Sequence, residues 1–584
     1  MAAQIPQVAE VLSKDFDSYK DIMEVLLPAL DKLLDDKNSD ILKSACQATV
    51  SLAQILTPDD SASFLLTPML RTLHDEDEEI RIRALITLKD LIEYISPDMC
   101  ECFVVKEAML LKSETIVKVR KAVAEMVPKI IRNLKQNEGV NKVLPIFQEL
   151  AKDSIWGVRK SCVEFMPDIM ESVGEDLQSS LFLPLFEELL NDKSNSVRLC
   201  AMGRLGQMIH FCKVPVPEYL LTAFLELSRN NSNKGELQLH CAYYFPAVLL
   251  KVGAGEWGKM SVSYSYIASE GDLKCIRSLV SGMHEIGKIL GCEVATVELV
   301  PVFEKIYNES ASSKQVAAAH LGTFLSCLIP QARINFLKYV KTMYKISANW
   351  RIRLSIAEQL VDILKLYELD MVVSELSPIV FSLAEDKIAK VRETAAPGMG
   401  YLIGLVLNNP AFLEIVTSFK ALSSKSYISK QVFLLSCEHI PLKGFEQNFF
   451  NEFRSLCDEK SANLRMLCAK MIKKLRENGQ SLSQLDEKLS HDFDADVRFE
   501  VTGKYDVERG VSRLRPNTKK ICELMEPWLR ALFPDDDLEE VIKFSTASSC
   551  GLEIIKSTFV PAMNGFVDEI SLSKVARNKM LIEF

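Results

Sequence analysis

Apolar positions recur along this chain at helical spacing, in stripes broken by short polar gaps. Between Val143 and Gly174, the residues Val143, Leu144, Phe147, Leu150 and Ala151 make one stripe; Val158, Cys162, Phe165, Met166, Ile169 and Val173 make a second. Two amphipathic helices are predicted, joined by Asp153-Ser154-Ile155-Trp156-Gly157. The polar gap has a phase, Asp, four residues, Val, Arg, and that phase recurs.

The recurrence is every 39 residues for Arg81, Arg120, Arg159 and Arg198, in the contexts EIRIR, KVRKA, GVRKS and SVRLC. Carried back it meets Leu42; carried forward it passes Leu237, Arg277, Val316, Arg353, Arg392 and Gln431 and ends with Arg465 and Arg498, which makes thirteen units. Pro28, Pro145, Pro184 and Pro378 stand 14 residues before that phase, with Pro68 and Pro301 displaced by one, so the first helix of each unit is expected to bend. Helix pairs of this length cannot bury their stripes alone, and neighbours must stack. The expected fold is all-α, a HEAT-repeat solenoid of about thirteen helix pairs, with a three-helix armadillo unit as the alternative. The frame divides the chain into N-terminal repeats (1–210), degenerate middle repeats (211–345) and C-terminal repeats (346–505). It fails beyond that point, and 506–584 read as a non-repeat helical cap. The acidic turn Phe533-Pro534-Asp535-Asp536-Asp537 within it is the alternative sign of a partner-binding appendage.

Composition narrows the function. A net charge of −10 over 584 residues argues against nucleic acid as the main partner, because a phosphate backbone demands concentrated Lys and Arg. The 15 cysteines are scattered, and Cys46, Cys162, Cys200 and Cys468 fall in small apolar slots of second helices, which reads as reduced core packing. No stretch reaches the roughly 20 apolar residues a bilayer needs, and the N-terminus has no leader pattern, so no membrane is expected and the location is read as cytoplasmic, with the nucleus as a second compartment. The seven histidines show no i,i+4 pairing, and no catalytic, metal or cofactor constellation is found. The expectation is a protein that is not an enzyme and needs no cofactor. Gly398-Met399-Gly400 is read as easing helix packing, and Asp75-Glu76-Asp77-Glu78-Glu79 as a solvated helix start.

The motif itself has a structural chemistry. Asp can close the turn by accepting backbone N–H groups at the start of the second helix, Val begins the buried stripe, and Arg can reach the Asp of the adjacent unit, building an Asp–Arg ladder. It is intact at Asp75/Arg81, Asp153/Arg159, Asp192/Arg198, Asp386/Arg392 and Asp492/Arg498, with Glu459/Arg465 as a variant. Two turns add a tryptophan, Trp156 and Trp350, the latter between Asn349 and Arg351. Tryptophan beside arginine is an interface-anchor composition, and Trp350 is the favoured anchor.

Three stretches, LPIFQELAKDSIWGVRKSCVEFMPDIMESVG, the segment from NWRIRLS to APGMGYLIG, and LDEKLSHDFDADVRFEV, resemble the scaffold (A) subunit of type 2A protein phosphatases. The Trp-Gly-Val-Arg-Lys form of the first is also similar to regulatory subunit 1 of protein phosphatase 4. The resemblance spans roughly residues 20 to 505 and implies a non-catalytic scaffold. It implies that Trp350, Arg351, Arg353, Arg392, Arg465 and Arg498 face a Ser/Thr phosphatase catalytic subunit. Asp153, Trp156, Arg159 and Arg198 would face a regulatory (B-type) subunit or substrate protein. A count of thirteen repeats against the fifteen of the scaffold family, and a tail without counterpart, are departures. The other reading is a HEAT-repeat transport or assembly adaptor wrapping a protein cargo.

Overall fold

The computed structural model describes residues 2–13, 22–36, 38–134, 139–229, 235–309, 311–346, 349–477 and 483–503. The C-terminal extension 506–584, with its acidic turn, lies outside the described residues. Within them every regular element is helical, and none is long and apolar enough to cross a membrane. The chain divides into two compact units, Met1–Val340 and Lys341–Phe584.

Unit by unit the helices come in pairs, and thirteen pairs follow the short N-terminal helix Ile5–Leu12. The fourth pair is Val140–Ala151 and Trp156–Ser172, so Trp156 and Gly157 begin the second helix rather than sit in the turn. Within this pair the two stripes form the core: Val143, Phe147, Leu150, Val158, Cys162, Met166 and Ile169 are all essentially inaccessible. Each fully buried Leu- or Phe-sized side chain contributes about 1.5–3 kcal/mol relative to exposure, which is why a pair is stable only with neighbours covering it.

The expected bending of first helices has a specific form. In four pairs a wide, π-type turn precedes the proline: Ile22–Leu26 before Pro28, Ser61–Leu66 before Pro68, Gln178–Phe182 before Pro184 and Val372–Leu376 before Pro378. Proline lacks the N–H that the preceding turn would use, and the extra residue of a π turn absorbs the defect. Cys100–Val104 adopts the same turn without a proline, so position in the repeat also contributes. Second helices carry prolines too, and Pro128, Pro167, Pro246 and Pro397 lie inside helices that continue through them.

Gly398 and Gly400 do ease packing: a Cβ at Gly398 would stand 2.4 Å from Leu360 Cδ2, and one at Gly400 would stand 2.5 Å from His439 Cβ. Three successive second helices, 350–365, Ala389–Val406 and Tyr427–Cys437 with the turn after it, therefore approach at backbone distance. Every described cysteine is a free thiol, and Cys46, Cys162 and Cys468 are buried with their pKa raised by desolvation or thiol neighbours.

Candidate functional site

The turn between the two helices of a pair is built the same way wherever the motif is intact. The Asp carboxylate accepts the N–H two residues on, as in Asp75 to Asp77 (2.8 Å), Asp153 to Ile155 (2.8 Å), Asp192 to Ser194 (2.7 Å), Asp386 to Ile388 (2.9 Å) and Asp492 to Asp494 (2.9 Å). The aspartate thus closes a side-chain-to-backbone turn on the residue that precedes the helix, which presets where the helix starts. The arginine six residues later folds back, and its Nη1 donates to the carbonyl of the motif acid: 2.7 Å for Arg159 to Asp153, 2.6 Å for Arg198 to Asp192, 2.8 Å for Arg392 to Asp386, 2.7 Å for Arg465 to Glu459 and 2.7 Å for Arg498 to Asp492.

That leaves the Nε–Nη2 edge of the guanidinium available to the next repeat. Four times it grips the next repeat's aspartate bidentately: Arg120–Asp153 and Arg159–Asp192 in the first unit, Arg353–Asp386 and Arg465–Asp492 in the second, with Nε–O distances of 2.5–2.7 Å. The expected ladder is present. Its members are 12–18% exposed on the arginine side and 6–11% on the aspartate side, so these are sheltered ion pairs rather than surface ones. The Asp192 carboxyl is held below its ordinary value first by the hydrogen bond from Arg159 and further by the Ser194 N–H, against the opposing cost of burial. At Asp386 and Asp492 burial is the largest influence and raises the pKa, but the arginine and backbone donors together outweigh it and the net shift is downward.

The residues singled out from sequence are therefore of two kinds. Arg159 and Arg465 spend both edges of the fork inside the scaffold, Arg353 spends its Nε–Nη2 edge on Asp386, and Asp153 is taken by Arg120 and the Ile155 N–H. Arg198 uses Nη1 on its own turn and Nη2 at 3.4 Å on Asn195 Oδ1. Arg392 and Arg498 are both 8% exposed, and each has a buried Nε without a hydrogen-bond partner. The tryptophans separate in the opposite order to the one expected: Trp156 is 51% exposed, whereas Trp350 is half-buried beneath the exposed Arg351, whose guanidinium carbon is 4.9 Å from the ring centroid. Trp350 is the first residue of Trp350–Glu358, and Asn349 caps that helix by accepting the Arg351 N–H. Around these residues the turns expose apolar groups that periodicity overlooked: Ile155, Ile388, Tyr427, Ile428 and, at 86%, Phe493. They lie in or beside the polar gaps, where a search for buried stripes does not look.

The motif-poor middle is held differently. Phe303, Tyr307, Phe324, Phe336 and Tyr339 form one aromatic cluster with centroid separations from 4.9 to 6.0 Å. His284 and His320, apart in sequence, stack face to face at 4.1 Å. Burial and the neighbouring imidazole both push the pKa of His284 down. Among the described residues no group of three or more His, Cys, Asp or Glu is placed to hold a metal ion.

Comparison with known proteins bears on this same middle region. The family model for the middle domain of protein phosphatase 4 regulatory subunit 1 matches residues 241–343. The chain is similar to mouse Serine/threonine-protein phosphatase 4 regulatory subunit 1, 28% identical over 320 residues, and to the human protein, 27% identical over 313 residues. Each match takes in 49% of this chain and 33% of the relative, so the aligned region is about a third of their length. In fold the chain is similar to yeast importin-β (Kap95p), with TM-score 0.57 and 12% identity over 96% of this chain and 77% of that one. It is also similar to Kap121p, with TM-score 0.54 and 13% identity over 98% and 64%. The all-α solenoid architecture is thereby supported, and at this identity those two likenesses speak to fold alone.

Proposed function

We propose that this protein is a non-catalytic regulatory or scaffold subunit of a type 2A-like Ser/Thr phosphatase. The observation that carries the reading is the similarity to protein phosphatase 4 regulatory subunit 1, whose matched middle domain coincides with repeats that have lost the ladder motif. A repeat that gives up a recurrent stacking device and retains likeness to one regulator is specialised rather than decayed.

In this reading the turns of the second unit, with Trp350, Arg351, Ile388, Tyr427 and Phe493 presented and Arg353, Arg392, Arg465 and Arg498 fixing the turn geometry, hold the catalytic subunit. The turns of the first unit, with Ile155 and Trp156 presented over Asp153, Arg159 and Arg198, hold a regulatory subunit or substrate. Holding both partners on one chain raises the concentration of each as seen by the other, to the millimolar range for short, flexible connections. The test is reconstitution with purified phosphatase 4 and phosphatase 2A catalytic subunits. The expected result is a stable complex with the first, weakened by Trp350→Ala plus Arg351→Ala; no complex with either subunit would overturn the reading.

A further inference from the structure

The ladder is open at several arginines: the buried Nε of Arg81, Arg392 and Arg498 has no hydrogen-bond partner, and Arg392 is the most sheltered of those whose following turn is described. Arg353 and Arg465 each meet an aspartate of the next repeat, but 33 residues after Arg392 the chain has Lys425, which is exposed. Arg392 keeps the first half of the arrangement, with Nη1 on the Asp386 and Lys387 carbonyls at 2.8 and 3.1 Å. Its guanidinium is 8% exposed, with Nε buried and without a hydrogen-bond partner. The carboxylates of its own turn are taken: Asp386 by Arg353, and Glu385 by the Ser429 hydroxyl at 3.1 Å.

A sheltered N–H of a charged group that cannot reach water or an acceptor is costly, and the matching acceptor for this edge is one carboxylate held bidentately. We propose that Arg392 is a receptor for an aspartate or glutamate side chain of a partner protein, which completes the missing rung from outside. The Glu385–Ser429 bond brings the turns around Ile388 and Tyr427 side by side, so the receptor is flanked by exposed Ile388, Tyr427 and Ile428 and by the cations Lys387 and Lys425. That setting selects an acidic residue with apolar neighbours, on a protein segment. The inference rests on the proposed function only in its choice of first probe.

The test is to fill the rung from within. In the full chain, Lys425→Asp places the missing carboxylate where Asp386 and Asp492 stand for their arginines, and Arg392→Gln removes the receptor. Binding is measured with two probes: purified phosphatase 4 catalytic subunit, and a synthetic peptide of residues 531–540, ALFPDDDLEE, as a generic acidic and apolar ligand. Expected are a rise in the melting temperature of Lys425→Asp by a few degrees and at least a tenfold loss of affinity for the probe in both variants, with no further loss when they are combined. If Lys425→Asp stabilises the chain but neither variant alters affinity for either probe, the edge is a scaffold defect and the inference falls. If neither the phosphatase 4 nor the phosphatase 2A catalytic subunit binds the unmutated chain while the peptide binds in an Arg392-dependent way, the proposed function falls and the receptor stands. If changing Asp535, Asp536 and Asp537 to Asn in the full chain raises affinity for the catalytic subunit, the occupant is the chain's own acidic stretch, and the assignment to a partner is overturned.

Discussion

Repeats around Arg120–Arg198 and repeats around Phe303 solve one problem, stacking helix pairs, with opposite chemistry. The first group repeats a polar rung: a carboxylate that shapes its own turn and receives the arginine of the pair before it. The second gives up the rung, with Leu237 and Val316 at the arginine phase, and interlocks aromatic rings across 303–339. A rung is directional and fixes register, because only one spacing lets the fork meet the aspartate. A ring cluster is tolerant of register and supplies more buried area. The family-model match, residues 241–343, takes in the aromatic region.

The comparison can be broken by removing one element of each kind. Phe303→Ala should cost about 4 kcal/mol, since a fully enclosed ring leaves a cavity its neighbours cannot fill, and hydrogen exchange should rise through 292–328. Asp192→Ala should cost about 3 kcal/mol by stranding the sheltered Arg159. Arg159→Met with Asp192→Leu should recover most of that loss, and urea unfolding of the set would measure the coupling.

Acid sharpens the contrast further. Asp192 has a folded pKa depressed mainly by Arg159, so its contribution is fully present above the ordinary carboxylate value of about 3.8 and is lost as pH falls through the lower folded value. Between pH 5 and pH 2, exchange protection at Trp156–Ser172 should therefore fall, and fall less in the chain carrying Arg159→Met with Asp192→Leu. The smallest stability effect is expected at Trp156→Ala, within about 0.5 kcal/mol because the ring is half in solvent, while affinity for a partner of the first unit should fall at least tenfold.

Much of the scaffold was legible in the chain because the repeat frame places an aspartate 33 positions after Arg120, Arg159 and Arg353 and 27 after Arg465, and helix pairing follows from the stripes. The exposure of the tryptophans was not. Trp156 and Trp350 occupy the same place in their helices, yet Trp156 is 51% exposed and Trp350, with Arg351 over its ring, is half-buried. Nor could periodicity find the stacking of His284 on His320, because the degenerate frame supplies no register there.

What the sequence alone determined is the repeat: its length, its helices, the turn chemistry and the pairing rule of the ladder, all set by local spacing and side-chain reach. What only the tertiary structure decided is which polar edges are spent and which are open. Arg353 and Arg392 stand at the same phase of the repeat, yet one has its carboxylate and the other does not. A fork edge is satisfied by the neighbouring repeat, and burial depends on atoms far away in the chain.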